Sequence, residues 1–242
     1  MNLCIDRGNS STKVGIFKRD NLIQSLTFTD FGTEDIENIY SQHKIQHCIL
    51  SSVIEADIEF ADFLSSKNEI FIELNHTTPI PVINNYTTPE TLGKDRLAAV
   101  IGAAYLKPDS NLLVIDAGTA ITYDFIDAQK VYWGGNIAPG IELRLRALHE
   151  FTNQLPYINV YNDSSLLGND TTSSINSGVL YGIAFEIDGY IDTLKKKYPH
   201  LSTFLTGGSI IYFENKLKNP IFAEKFLVLI GLNRILQFNV QK

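Results

Sequence analysis

Residues 111–126, NLLVIDAGTAITYDFI, form an apolar run that ends on Asp116, turns through Ala117, Gly118 and Thr119, and returns as a second apolar run. Residues 2–17, NLCIDRGNSSTKVGIF, do the same: the run ends on Asp6, turns at Gly8 and Asn9, and comes back. Outward from these two stretches, segments rich in β-branched and aromatic residues predict strands at 2–6, 12–17 and 22–28, a helix over 33–43 and a strand at 47–52. The later set repeats the order, with strands predicted at 111–116, 120–126 and 131–137 and a helix over 140–151. Three strands followed by a helix, twice in one chain, predict an α/β fold built by duplication, with halves at 1–110 and 111–242.

Between the two sets the pattern predicts a helix near 57–66, a strand at 69–74, a connection over 77–90 carrying Pro79, Pro81 and Pro89, and a helix from Lys94. Further helices are predicted over 172–197 and 222–238, flanking a strand at 202–206 and a turn at Gly207–Gly208. In the first of these, Ile175, Val179, Leu180, Ile183, Ala184, Ile187, Ile191 and Leu194 recur at three- and four-residue steps and make one apolar face. Gly178, Gly182 and Gly189 interrupt it at about 1 kcal/mol each relative to alanine, so something should compensate, such as the close approach of another backbone. The helix reads either as an ordinary core helix or as a subunit interface.

The 242 residues are 44% apolar and 19% charged, a globular composition, with a net charge of −7. That balance offers no basic footprint for a nucleic-acid backbone or an anionic membrane surface, so an anionic ligand has to be held locally by amides and a few side chains. No apolar stretch is long enough to span a bilayer and the start, MNLCIDRGNSSTK, lacks the apolar run of a signal peptide, so a cytoplasmic protein is expected. Cys4 and Cys48 each sit in an apolar strand-like run and read as reduced core thiols. His43 and His47 are four apart, yet a helix is expected to end at the first and a strand to begin at the second, which breaks the one-face spacing a metal site needs.

An aspartate-glycine turn at a strand end suits a phosphate group, because glycine lets the backbone come close and small hydroxyl residues add donors. In Asp6, Arg7, Gly8, Asn9, Ser10, Ser11, Thr12 and Lys13, amides and hydroxyls can cradle phosphate oxygens, Lys13 adds a point charge, and Asp6 can hold Mg²⁺ or its water shell. Such residues are equally at home in a plain hairpin turn. Two of these turns in matching positions of a duplicated pattern resemble the phosphate-binding loops of the actin, sugar-kinase and Hsp70 superfamily. The resemblance implies a duplicated actin-like, ribonuclease H-like nucleotide-binding fold, with two βββαβα halves around a cleft. Neither GxxxxGK[ST] nor GxGxxG is present to argue for another nucleotide-binding class.

A third constellation, Tyr86-TTPETL-Gly93-Lys94-Asp95-Arg96 followed by an alanine-rich helix, can act on a hydroxyl substrate. A carboxylate at a helix start can accept the proton of an attacking hydroxyl, an arginine can fork onto an acidic substrate, and a tyrosine can supply a wall and a phenol donor. The alternative is a plain helix start with Asp95 favoured by the helix dipole and Arg96 in a surface ion pair. This stretch, with its GxDR core, is similar to the substrate-binding segment of the type III pantothenate kinase family. The likeness continues through DAGTAITYD at Asp116–Asp124, GGNIAPG at Gly134–Gly140, Leu155-Pro156, GNDT at Gly168–Thr171 and TGG at Thr206–Gly208, nearly the whole chain. Arg7 and Ser10 depart from it, standing where an apolar residue and a threonine are usual.

The resemblance implies ATP-dependent phosphorylation of pantothenate, with Asp95 as proton acceptor and Tyr86, Gly93, Lys94, Asp95 and Arg96 at pantothenate. It also implies that residues Asp6 to Lys13 with Thr119 hold the ATP phosphates, that K⁺ or NH₄⁺ sits at Asp116 beside Mg²⁺ with ATP, and that coenzyme A exerts no feedback. Thr171 is implied as a substrate contact given to the neighbouring subunit of a homodimer with shared active sites. A small sugar kinase and a non-enzymatic nucleotide-dependent switch are the two alternatives that the same loops leave open.

Overall fold

The computed structural model describes residues 1–54, 57–162 and 165–241. The chain forms two compact units, one of Met1–Pro108, Lys130–Trp133 and Phe226–Lys242, the other of Asp109–Gln129 and Gly134–Lys225. In the first unit β1 (Asn2–Arg7), β2 (Thr12–Lys18), β3 (Asn21–Phe28), β4 (His47–Ser52) and β5 (Ile70–Glu73) make a sheet in the order β3-β2-β1-β4-β5. Strand alternation divides its side chains. Leu3, Ile5, Val14, Ile16, Cys48 and Leu50 face α1 (Thr33–Gln42) and α2 (Ile58–Lys67), where Ile36, Ile39, Phe60 and Leu64 close a buried core.

The other face carries α6 (Leu227–Val240), packed against α3 (Lys94–Leu106) at two glycines. A Cβ on Gly231 would overlap the Ala98 carbonyl, and one on Gly102 would overlap the Leu227 carbonyl, so these backbones meet where no side chain fits. Two buried asparagines tie the helix to the sheet: Asn2 Nδ2 donates to Asn233 Oδ1 at 2.9 Å, and Asn233 Nδ2 donates to the Arg19 carbonyl at 2.9 Å.

In the second unit β7 (Leu112–Ala117), β8 (Ala120–Ile126), β9 (Val131–Pro139), β10 (Ser202–Thr206) and β11 (Phe222–Ala223) stand in the order β11-β10-β7-β8-β9, the first unit's order again. Leu113, Ile115, Ile121 and Tyr123 pack against Ile175, Val179, Leu180, Ile183 and Ile187 of α5 (Thr171–Lys197), with Ile141 and Leu145 of α4 (Ile141–Glu150). The start of α5 is capped by Asp170, whose Oδ1 accepts from the Ser173 amide at 2.9 Å, a cap worth about 1 kcal/mol. The first residues of β9 lie in the first unit, where Asn84 of β6 (Ile83–Asn84) pairs with Tyr132.

One expectation is corrected. The helix predicted over 222–238 begins at Leu227, because Phe222 and Ala223 pair with Phe204 and Leu205 as an edge strand and Glu224 donates to the Leu205 carbonyl. Beyond their own turns of helix, the glycines of α5 meet no backbone of this chain among the described residues: nothing else lies within 4 Å of a Cβ on Gly178 or Gly189, and only Arg144 Nη1, at 3.9 Å, on Gly182. This side of α5 is open, and Phe185 on it is 59% exposed. His43 and His47 are engaged with Gln24 and Asn2, and Cys4 and Cys48 are free buried thiols whose burial pushes their pKa up.

Candidate active site

The first turn opens from a closed end of β1 and β2. Asp6 is opposite Lys13, Arg7 opposite Thr12, and the Gly8 amide donates to the Ser11 carbonyl at 3.0 Å, leaving Asn9 and Ser10 exposed at the tip. Because side chains alternate along a strand, Asp6 and Arg7 point to opposite faces. Arg7 lies on the α2 side: its Nη1 is 3.6 Å from Asp57 Oδ2 and its guanidinium stands 5.1 Å over the Phe60 ring. Asp6 and Lys13 share the other face, the one on which α6 packs.

The second turn is one residue shorter. Asp116 is opposite Thr122 and Ala117 opposite Ile121, so only Gly118, Thr119 and Ala120 make the bend, which the Gly118 amide closes on the Ala120 carbonyl at 3.1 Å. Thr119 is exposed, and its carbonyl accepts from the Gly140 amide at 3.0 Å. Gly207, at φ +98°, packs its backbone against this turn: a Cβ there would stand 2.5 Å from Asp116 Oδ1 and 2.6 Å from the Ala117 carbonyl oxygen. The Pro139–Gly140 corner is held in turn by Arg144, whose Nε donates to the Pro139 carbonyl at 2.8 Å and whose Nη2 meets Glu186 Oε2 at 2.6 Å. Tyr123 Oη donates to Glu186 Oε1 at 2.7 Å, and burial followed by this bond pushes the phenol pKa up.

At the head of α3, Gly93 is the N-cap at φ −56° and ψ 126°. Asp95 Oδ1 folds back to accept from the Arg96 amide at 2.9 Å, and it lies so near Gly93 that a Cβ there would stand 2.6 Å away. The glycine is therefore what leaves room for the carboxylate. Arg96 is only 6% exposed, which removes the surface ion pair as its role. Its guanidinium lies 5.7 Å over the Tyr86 ring, which stacks at 6.2 Å and 17° on buried Tyr132. The Tyr86 amide donates to Asn84 Oδ1 at 3.0 Å, so the short pairing of β6 with β9 sets the aromatic beside the arginine. Lys94 borders a cavity of about 320 Å³ with Asn75, Thr78, Asn84 and Leu97.

Thr171 is the exposed first residue of α5 and borders a groove of about 1120 Å³ with Arg144, Leu148, Phe151, Ile175 and Gly178. The structure thus gathers Gly93, Asp95, Arg96 and Tyr86 into one cluster and Asp6 with Lys13 into another. Tyr132, Gly140 and Arg144 were not among the candidate site residues of the sequence, although Gly140 closes one of its motifs. Gly140 had a signal in the Pro139-Gly140 pair, and the other two had none, since their roles arise from strand pairing and helix packing.

A family model described as type III pantothenate kinase matches residues 2–193. A type III pantothenate kinase of Phocaeicola vulgatus is 46% identical over 239 residues, covering 99% of each chain, and one of Bacteroides fragilis is 44% identical over 99% of this chain and 98% of its own. Among solved structures, a Baf-family protein of Campylobacter jejuni superposes with a TM-score of 0.63 at 24% identity over 99% of this chain and 100% of its own. A ROK family glucokinase of Streptomyces griseus, in complex with glucose and AMPPNP, gives 0.53 at 12% identity over 100% and 99%. With the strand order stated twice in one chain, these likenesses give the duplicated actin-like fold.

Proposed function

The chain belongs to the type III pantothenate kinase family, and on that premise we propose how its residues divide the work. The reaction is ATP-dependent phosphorylation of pantothenate to 4′-phosphopantothenate, the first step of coenzyme A biosynthesis. Asp95 accepts the proton of the primary hydroxyl as its oxygen attacks the γ-phosphorus in line. The observation that carries this reading is the Asp95 carboxylate lying over a glycine, one residue from a buried arginine that faces a tyrosine. Arg96, Tyr86, Gly93 and Lys94 hold pantothenate, the guanidinium toward its carboxylate.

In the first unit, the turn from Asp6 to Lys13 is assigned to the ATP phosphates through its amides, its hydroxyls and Lys13. Arg7 contributes main chain alone, since its side chain lies against α2. In the second unit, Thr119 carries the same assignment. A divalent ion comes with ATP in a kinase. Among the described residues no group of three acidic, histidine or cysteine side chains forms a cage, which suits Mg²⁺, an ion usually bound by one or two carboxylates and substrate phosphates. Asp6 is the carboxylate we assign to it, and Mg²⁺ there would neutralise charge developing on the transferred phosphoryl group.

We assign a monovalent cation, K⁺ or NH₄⁺, to Asp116. The open stripe of α5 supports a homodimer in which Thr171 serves the neighbouring subunit. Among the described residues no helix is long and apolar enough to cross a membrane, and an ATP-consuming reaction fits the cytoplasm.

A coupled ADP-release assay tests the reading, with pantothenate and glucosamine derivatives as acceptors. Pantothenate is expected to turn over and the amino sugars are not; the reverse result overturns the reading. In the same assay Asp116→Asn is expected to shift the potassium titration to higher concentration, because the ion loses a charged oxygen. An unchanged titration places the cation elsewhere. Gly93→Ala adds a Cβ 2.6 Å from Asp95 Oδ1, at a φ that alanine adopts without strain. Displacing the base in this way is expected to lower kcat about 10²-fold with the melting temperature near wild type. Unchanged kcat would mean that the carboxylate need not stand where the glycine lets it.

A further inference from the structure

Each of the two strand-end aspartates has a buried hydroxyl residue beside it on the neighbouring parallel strand. Ser51 of β4 is in register with Asp6, and Thr206 of β10 is in register with Asp116; Ser51 is fully buried and Thr206 is 2% exposed. Residues in register present their side chains to the same face of a sheet, so Ser51 lies on the Asp6 and Lys13 side, away from Arg7.

The Ser51 Oγ has no hydrogen-bond partner, although its side chain is wholly enclosed. Buried hydroxyls are nearly always paired, because an unpaired one has given up water for nothing. The other such hydroxyl among the described residues, Thr203 Oγ1, is opposite Leu113 in β7, three positions before the Asp116 partner and on the other face of its sheet. One orphan therefore stands at an assigned ion site and the other does not.

We propose that Ser51 is a positioning residue of the Asp6 site, its hydroxyl accepting a hydrogen bond from a water ligand of the divalent ion that accompanies ATP. This rests on the assignment of that ion to Asp6. Mg²⁺ keeps several of its waters when it binds through one or two carboxylates, and groups that hold those waters fix the ion's orientation. Ser51 lies on a central strand of the sheet, next to β1, so it offers a rigid acceptor.

The probe is Mn²⁺ with a non-hydrolysable imido analogue of ATP, its binding to the full chain read by electron paramagnetic resonance. The melting temperature of the nucleotide-free protein is measured alongside. Ser51→Ala is expected to weaken Mn²⁺ binding about tenfold, in the range of outer-shell losses. It is also expected to raise the melting temperature, since the unpaired hydroxyl is gone. Thr203→Val is expected to raise the melting temperature and leave Mn²⁺ binding unchanged, while Asp6→Asn weakens Mn²⁺ binding more than Ser51→Ala does. Wild-type Mn²⁺ affinity in Ser51→Ala beside a weakened Asp6→Asn overturns the role of Ser51 and spares the ion assignment. Wild-type affinity in both overturns the assignment and Ser51 with it. A lowered melting temperature in Ser51→Ala, or an equal Mn²⁺ loss in Thr203→Val, overturns the proposal as well.

Discussion

Asp95→Asn is expected to lower kcat by about 10²–10⁴ while KM for pantothenate stays near its wild-type value. The amide keeps the carboxylate's shape, and its oxygen can still accept from the Arg96 amide, the bond that Asp95 Oδ1 makes at 2.9 Å. Helix α3 should therefore start as before, with Gly93 as its cap and Arg96 still buried against Tyr86. What disappears is the capacity to take a proton. Removing a group that acts only as the hydroxyl becomes a nucleophile lowers kcat and kcat/KM together, and that pattern separates a base from a binding residue. Single-turnover rates with saturating ATP, measured with a thermal melt to confirm the fold, check the result. A variant within threefold of wild type would exclude Asp95 as the base and turn attention to a substrate-assisted route.

The second large effect concerns assembly. Thr171→Asp is expected to inactivate the enzyme, because in our reading this residue completes the neighbouring subunit's pantothenate site and the new carboxylate faces an acidic substrate. Folding should survive: Thr171 is exposed in the first turn of α5, where a negative charge is favoured by the helix dipole and the Asp170 cap is already in place. Mixing Thr171→Asp with Asp95→Asn makes the loss informative. In a mixed dimer one site receives both lesions and the other neither, so random pairing should restore about a quarter of wild-type activity. Failure to recover after subunit exchange has been verified by mass would mean that Thr171 acts within its own chain or that α5 is not the shared face. The open glycine side of α5 favours recovery, since among the described residues a Cβ on Gly178 or Gly189 would meet nothing within 4 Å beyond its own turn of helix.

Much of this was legible in the sequence. The strands at 47–52, 120–126 and 202–206 were read to the residue, and the two aspartate-glycine turns announced the duplication that the strand order then repeated. The GxDR stretch is unspecific by itself, but in order with the motifs that follow it along the chain it pointed to the family. These features are local: a strand shows itself by alternation, a helix by its three- and four-residue steps, and a turn by glycine. Tertiary structure decided the rest. Nothing near Arg7 says that its side chain belongs against Asp57 and Phe60 rather than beside Asp6, because the sheet face on which α2 packs settles it. Residues 222–226 lost their helical pattern to an edge pairing with Phe204 and Leu205. Tyr132 under Tyr86, Gly231 against Ala98, and Ser51 in register with Asp6 join residues far apart in the chain. Local periodicity fixes which segments pair and which face is apolar, but register and partner follow from packing that only the folded chain supplies.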